Sequence, residues 1–284
     1  MNEKFSVLMS VYYKENPIYL KEAMESIYDR QILKPTEIVL VEDGKLTEEL
    51  YQEITRQKEK LKNILKIVKL EKNSGLGKAL NVGVLNCTNE LIARMDSDDI
   101  SCSERFLKQI ECFKNNENID IVGSNISEFI NDVNNIVGIR NVYENDIDIK
   151  KDMKKRCSLN HVTVIFKKSK ILEVGNYLEW FCNEDYYLWL RLLKNNAIFK
   201  NISESLVFVR VGMEMYGRRG GMKYFKSEAD IQKYMLENKM ITQTEYFRNI
   251  FVRFVVQILL PNWLRKVIYL KILRKNIKDK KCQN

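Results

Sequence analysis

The chain has 284 residues, 45% of them hydrophobic and 30% charged, which excludes a disordered or collagen-like polymer and suits one large domain with at most an appendage. Its formal charge of +9 is uneven. Residues 246–284 carry ten of the 47 basic side chains and one of the 38 acidic ones, leaving 37 of each in 1–245. The body is therefore neutral, and an acidic partner is implied for the C-terminal segment alone.

In chain order, Phe5–Val11 reads as a first core strand rather than a signal core, since Met1–Lys4 is polar. Asn16-Pro17 supplies an N-cap and a first-turn proline for a helix to about Gln31. Thr36–Val41 is a second strand, Thr47–Lys62 a polar helix and Ile64–Leu70 a third strand. From Gly75, residues Leu76, Ala79, Leu80, Gly83 and Val84 fall at helical spacing, and Glu90–Met95 is a fourth strand. Four strands alternating with helices predict a mostly parallel, doubly wound α/β sheet. A helix follows at Ser103–Asn115, capped by Ser103, then a strand at Ile119–Gly123 and a less regular stretch over 124–160. Val162–Phe166 reads as a strand, Glu184–Lys194 as an amphipathic helix, and Ala197–Ile202 and Leu206–Val211 as two closing strands. From Gly212 onward the pattern is helical. The six cysteines are scattered without a C-x-x-C pair, which predicts reduced thiols of a cytoplasmic protein.

Sheets of this kind bind ligands at the carboxyl ends of their strands. Polar punctuation falls there four times: Tyr12–Glu15, Glu42-Asp43-Gly44, Asn73-Ser74-Gly75 and Asp96–Asp99. In Asp96-Ser97-Asp98 the carboxylates are spaced i, i+2, so an extended segment turns both to one side. Crowded carboxylates repel one another, and hard oxygen ligands on a short loop suit Mg²⁺ or Mn²⁺ arriving with a nucleotide diphosphate.

The ordered run V-x-V-Y-Y-K-E, V-E-D-G, N-x-G-x-x-x-A-L-N-x-G, M-D-S-D-D, H-V-T-V-I-F-K and E-D-Y-Y-L-W-L-R, over residues 5–211, resembles the family 2 glycosyltransferases. These are inverting enzymes of the GT-A fold that use nucleotide-activated sugars, and the nearest likeness is to bacterial enzymes building capsule or O-antigen repeat units. The resemblance implies that Tyr12 lies against the base with Glu15 nearby, and that Ser10 and Ser97 belong to the same substrate-binding set. Asp43 would accept from the uracil ring NH, although Glu42 stands where the family motif has aspartate. Gly75 and Lys78 would line the nucleotide-sugar, Asp96 would touch ribose or sugar hydroxyls, and Asp98 would ligate the metal with Asp96. Asp99 would serve as a turn cap. Glu184-Asp185 resembles the general-base motif, with Asp185 the base, held ionised by the helix N-terminus. His161, the only histidine, would sit near the acceptor or phosphates. Arg218 and Arg219 would bind diphosphate from a lid.

A dinucleotide-binding dehydrogenase is disfavoured, because the G-x-G-x-x-G that such a fold needs after its first strand is missing, and no P-loop exists. The competing class is a nucleic-acid or membrane-binding module resting on the basic tail alone. There, "IFVRFVVQILLPNWL" is too short and broken to span a bilayer, and its basic and apolar interleaving fits an interfacial helix on an anionic membrane better than nucleic acid. The expectation is a GT-A domain over 1–211 (nucleotide-sugar half 1–100, acceptor half 101–211) with a basic helical extension over 212–284. Its partners would be a UDP-sugar and a lipid-linked saccharide, and its place the inner face of the cell membrane.

Overall fold

The computed structural model describes residues 4–212 and 220–261. Strands β1 (Phe5–Val11), β2 (Glu37–Glu42), β3 (Leu65–Lys69) and β4 (Leu91–Arg94) pair in parallel in the order β3-β2-β1-β4. All four therefore end on the same sheet edge. The connecting helices are α1 (Pro17–Ile27), α2 (Glu48–Leu61) and α3 (Leu76–Asn86). Asn16 Oδ1 accepts from the Ile18 amide and Thr47 Oγ1 from the Leu50 amide, as their N-cap positions require.

Successive strand side chains point to opposite faces, and each face has its own apolar layer. Phe5, Val7, Met9, Ile38 and Leu40 pack with Leu20, Leu50 and Phe106 on one side. Leu8, Val39 and Val41 pack with Leu80, Val84, Leu188 and Trp189 on the other. Burial on both faces is why the strands read as near-continuous apolar runs. Helix α3 lies close to the sheet because Gly83 has no side chain: a Cβ there would stand 2.3 Å from Leu8 Cδ1.

The second half continues the sheet with mixed pairing. Strand β5 (Ile100–Ser101) and helix α4 (Arg105–Asn115) are followed by β6 (Ile121–Phe129), β7 (Ile136–Arg140) and α5 (Asp146–Met153). Then come β8 (Ile165–Lys167), α6 (Lys168–Glu173), α7 (Glu184–Lys194) and β9 (Phe199–Arg210). The order runs on from β4 through β8, β6 and β9 to β5, with β7 on β6. Strand β8 is antiparallel to both β4 and β6, whereas β6 and β9 are parallel.

Several predicted boundaries shift. Helix α1 stops at Ile27, four residues short of Gln31, whose amide is drawn away to the Cys102 and Ser26 carbonyls. Ser103 does not cap α4; Glu104 holds that position without a side-chain bond, and the Arg105 amide returns to the Cys102 carbonyl. Val162–Phe166 is not one strand. His161–Thr163 forms a 3-10 turn in which the Thr163 amide and hydroxyl both donate to the Asn160 carbonyl, and pairing starts at Ile165. The two closing strands are one, β9, carried through by register shifts opposite Ser124–Ile126.

Two C-terminal helices follow, α8 (Met222–Glu237) and α9 (Gln243–Phe254), the latter opened by a capping box between Thr242 and Glu245. Ile231 and Met235 of α8 complete the second apolar layer. Asn249 Nδ2 donates to the Lys154 carbonyl at 3.1 Å, and Arg253 joins Glu228 at 2.6 Å and the Lys155 carbonyl at 2.8 Å. Residues 246–261 are thus docked on the body rather than trailing from it. No helix among the described residues is long and apolar enough to cross a membrane.

Candidate active site

Parallel pairing brings the polar punctuation of β1, β2 and β4 together. After β1, Ser10 is half-buried at the strand end, while Tyr12 and Tyr13 are 40% and 48% exposed and meet edge to face at 5.8 Å. An exposed aromatic pair at a strand end is a stacking surface rather than core. Glu15 turns inward, accepting from the Asn16 amide and from Ser97 Oγ, so the first and fourth loops share a carboxylate.

After β2, Asp43 is buried and its two carboxylate oxygens accept from the Ser74 amide at 2.7 Å and the Gly75 amide at 3.0 Å. Asp43 thereby ties the second loop to the start of α3. Gly44 between them has φ +82°, and a Cβ there would lie 2.4 Å from the Asn73 nitrogen, so only glycine fits. Glu42 is buried, pairs with Lys69 at 3.6 Å, and is pushed up in pKa chiefly by burial. Of the two, Asp43 is the one on the loop. Lys78 is exposed on the first turn of α3.

The fourth loop is the densest. Asp96, Asp98 and Asp99 offer one oxygen each within 4.8 Å of one another. Asp98 is pushed up to about 7, first by burial and then by the charges of Asp96 and Glu15. Asp99 is raised well above its ordinary range by burial and by its two neighbours. Rather than capping a following turn, it accepts the Arg210 amide at 2.8 Å. Asp96 reaches the open side, held from beneath by the buried Arg94, whose guanidinium engages both of its carboxylate oxygens. The donor set is all hard oxygen and it repels itself, with the charges of both Asp96 and Glu15 bearing on Asp98. These residues fit a divalent cation such as Mg²⁺ or Mn²⁺.

Helix α7 comes to this loop from the second half of the chain. A Cβ on Gly77 of α3 would be 3.4 Å from Glu184 Cβ, which places the start of α7 against the start of α3. Burial, then the Asp185 charge, push Glu184 up to about 7. Asp185 accepts from the Tyr186 amide at 2.7 Å, with Cys157 Sγ 3.9 Å from its other oxygen. The helix N-terminus does not dominate its ionisation: burial outweighs the Tyr186 amide and the Arg94 and Arg140 charges and moves its pKa upward. His161 lies within reach of the Arg94 charge, its Nε2 2.8 Å from Tyr177 Oη and its ring edge-on to Trp189. Burial and the nearby Arg94 hold it well below its ordinary pKa, so it is neutral. Arg218 and Arg219 lie outside the described residues.

Two arginines were not singled out from the sequence. Arg94 influences Asp98, Asp99, Glu184 and Asp185 besides pairing with Asp96; a lone arginine inside an apolar strand was its signal. Arg210 straps the fourth loop: Nε donates to the Asp98 carbonyl at 3.1 Å, one Nη to Glu22 at 2.6 Å, and its plane lies 3.8 Å over Tyr19. Nothing local in the sequence marks it. Cys87, Cys112 and Cys157 carry free thiols, and Cys282 lies outside the described residues.

The family model for glycosyl transferase family 2 matches residues 6–171. The chain is 38% identical over 272 residues to the Escherichia coli UDP-Gal:alpha-D-GlcNAc-diphosphoundecaprenol beta-1,3-galactosyltransferase, covering 96% of this chain and 97% of that one. It is 38% identical over 244 residues to the amylovoran biosynthesis glycosyltransferase AmsE of Erwinia amylovora, covering 86% and 89%. Among solved structures, S. aureus TarS 1–349 in complex with UDP-GlcNAc superimposes with a TM-score of 0.63 at 20% identity, over 95% of this chain and 76% of that one. That likeness supports the GT-A architecture.

Proposed function

The chain belongs to glycosyl transferase family 2, and from that premise we propose that it transfers a hexose from a UDP-sugar to a lipid-linked saccharide, with inversion. It is a glycosyltransferase of polysaccharide biosynthesis; the donor, the acceptor and the stereochemistry are our reading. The observation that carries the reading is the nearness of two carboxylate groups, Asp96–Asp99 after β4 and Glu184-Asp185 at the start of α7, close enough that Asp96 bears on Glu184 and Arg94 on both groups. One group suits a metal-bound diphosphate and the other a proton acceptor.

UDP-galactose is the first donor to test and a GlcNAc-diphospho-lipid the first acceptor, because a 38% identical relative bears those names. The proposed donor site runs from the Tyr12 face, for the uracil ring, past Asp43, whose second lone pairs can accept the ring NH. Gly75 and Lys78 lie along it, with Ser10, Glu15 and Ser97 behind. Asp98, with Asp96, would hold Mg²⁺ or Mn²⁺, which when bound offsets the charge of the departing diphosphate. Arg94 fixes Asp96 so that its open side faces the sugar.

Asp185 is the proposed base. The acceptor hydroxyl gives its proton to the carboxylate as its oxygen forms a bond to the anomeric carbon. The bond from that carbon to the diphosphate breaks, and UDP leaves with the electron pair from the opposite face. An upward-shifted carboxyl suits this role, since a base with a pKa closer to neutrality takes a proton more readily. Neutral His161 would hydrogen-bond the acceptor.

The extension over 212–284 is proposed to hold the enzyme on the inner face of an anionic membrane, where a lipid-linked acceptor resides. Phe247, Phe251 and Leu259 are 67%, 68% and 60% exposed beside the docked face of α9, an apolar surface suited to a headgroup boundary. The basic residues beyond 261 lie outside the described residues. The test is a donor screen with the purified chain, Mn²⁺ and a GlcNAc-diphospho-lipid, read by mass spectrometry. Galactose added with inversion, and abolished by Asp185→Asn, supports the reading. Transfer only from a non-uridine donor, or with retention, overturns it.

A further inference from the structure

A second depression lies beside the base helix and has no part in the donor site. It is a cleft of about 290 Å³ lined by Trp180, Phe181, Lys223, Lys226, Ser227 and Asp230. The loop that supplies the two aromatic rings leads directly into Glu184 and Asp185, and α8 supplies the other wall. The cleft floor is built rather than incidental. Ser227 Oγ donates to the Phe181 carbonyl and accepts from Asn183 Nδ2 at 3.0 Å, and Trp180 Nε1 donates to the Ser227 carbonyl at 3.1 Å. Trp180 is further fixed against Tyr187, with ring centroids 4.3 Å apart.

The charges around this floor are available to a ligand. Lys223 and Lys226 are three residues apart, on one face of α8. Lys223 Nζ stands 4.0 Å over the Phe181 ring, and neither lysine makes an ion pair among the described residues. Glu228, the nearest carboxylate in sequence to both lysines, is taken by Arg253 at 2.6 Å. Elsewhere on the same helix, Lys233 is paired with Glu237. One carboxylate, Asp230, shares the lining one turn along α8 from Lys226, without an ion pair to it among the described residues. Two aromatic rings, a carboxylate and a fixed hydroxyl suit a sugar, whose C–H face packs on rings and whose hydroxyls donate to oxygen. Two ammonium groups outside any ion pair among the described residues, with one carboxylate in the same lining, leave a net positive charge that suits phosphate.

We propose that this cleft is the acceptor subsite, with Lys223 and Lys226 reading the diphosphate that joins the acceptor saccharide to its lipid and Trp180 and Phe181 holding the sugar. The assignment rests on the glycosyl-transfer reading above and specifies how the acceptor, as opposed to the donor, is recognised. It gives the enzyme a reason to prefer a saccharide on a diphosphate over the same saccharide on a simple ether.

The test uses the full chain with two soluble acceptors, GlcNAc-diphosphate on an undecyl chain and GlcNAc joined directly to that chain. Lys223→Ala/Lys226→Ala changes two exposed side chains, for which folding effects are ordinarily small. The double variant should raise the KM for the diphosphate acceptor at least tenfold and leave the KM for the ether acceptor unchanged. UDP-galactose hydrolysis without acceptor should also be unchanged, and Lys223→Arg/Lys226→Arg should restore most of the loss. Equal effects on the two acceptors, or none on either, overturn the assignment. A raised KM for UDP-galactose would move the lysines to the donor diphosphate and overturn it too. A wild-type chain that turns over no UDP-hexose with any acceptor refutes the glycosyl-transfer reading itself, and the cleft assignment falls with it.

Discussion

Replacing Asp98 by asparagine should stabilise the metal-free protein while removing its response to metal. Asp98 ordinarily ionises near 3.8 and is pushed up to about 7 in the fold, by burial first and by Asp96 and Glu15 next. Between those two pH values the folded state keeps a proton that the unfolded chain has released. Stability therefore falls as pH rises, by about 1.4 kcal/mol per pH unit, and the loss is complete above pH 7. Three units give about 4 kcal/mol, an upper bound because Asp96 and Asp99 share the same repulsion. Asparagine has nearly the same shape and no charge to titrate. In EDTA, urea unfolding should show Asp98→Asn more stable than wild type by about 2–4 kcal/mol at pH 8, with the gap about 2 kcal/mol smaller at pH 5.5.

Excess Mn²⁺ should narrow or close that gap at pH 8. A ligand at a hundred times its Kd adds about 2.7 kcal/mol to the folded state, and the variant should gain little of it. A gap that does not change with pH in EDTA, or an undiminished Mn²⁺ response in Asp98→Asn, would refute the reasoning that this loop is strained for want of a cation.

Asp185→Asn should lower kcat by at least about a hundredfold with donor KM little changed; an inactive Glu184→Gln beside an active Asp185→Asn would transfer the role to Glu184. Because Glu184 is pushed up to about 7, its ionisation completes as pH rises through neutrality. A limb of kcat/KM near pH 7 that disappears in Glu184→Gln would mark it, and a limb that persists would belong elsewhere. Arg94→Lys keeps the charge but loses the fork that grips both oxygens of Asp96, so donor KM should rise about tenfold; Arg94→Met should cost about 1.5–3 kcal/mol in unfolding experiments, as the loss of a hydrogen bond to a charged, partly exposed group does. Phe247→Ser/Phe251→Ser should reduce sedimentation with anionic liposomes while UDP-galactose hydrolysis persists, and unchanged sedimentation would count against a membrane role for α9.

The first half of the chain was legible because its information is local. An Asn-Pro start, a period-3.6 face and an apolar run each specify a parallel βαβ unit within some 30 residues. Once the strands are parallel, the loops at their carboxyl ends must converge. The second half depends on partners far apart in sequence: Ile121 pairs with both Phe166 and Phe199, and Ile100 with Phe208. No local pattern announces that Thr163 spends its amide and hydroxyl on Asn160 rather than on a strand, or that a bulge carries β9 through Ser203–Ser205 as one element.

The site divides along the same line. Acidic residues stood out because clustered charge is visible in one dimension, whereas the charges that restrain them are assembled only by folding. Arg94 stands among five carboxyl groups, those of Asp96, Asp98, Asp99, Glu184 and Asp185, and grips one of them. One guanidinium cannot neutralise five carboxylates, so the fold leaves the excess to be met by protons, by a cation or by both. Burial first, and the neighbouring carboxylate charges second, raise Glu184 and Asp98 to about 7. A cation bound through Asp98 would relieve the repulsion within its own loop and, by direct attraction, favour the ionised forms of the neighbouring carboxyls.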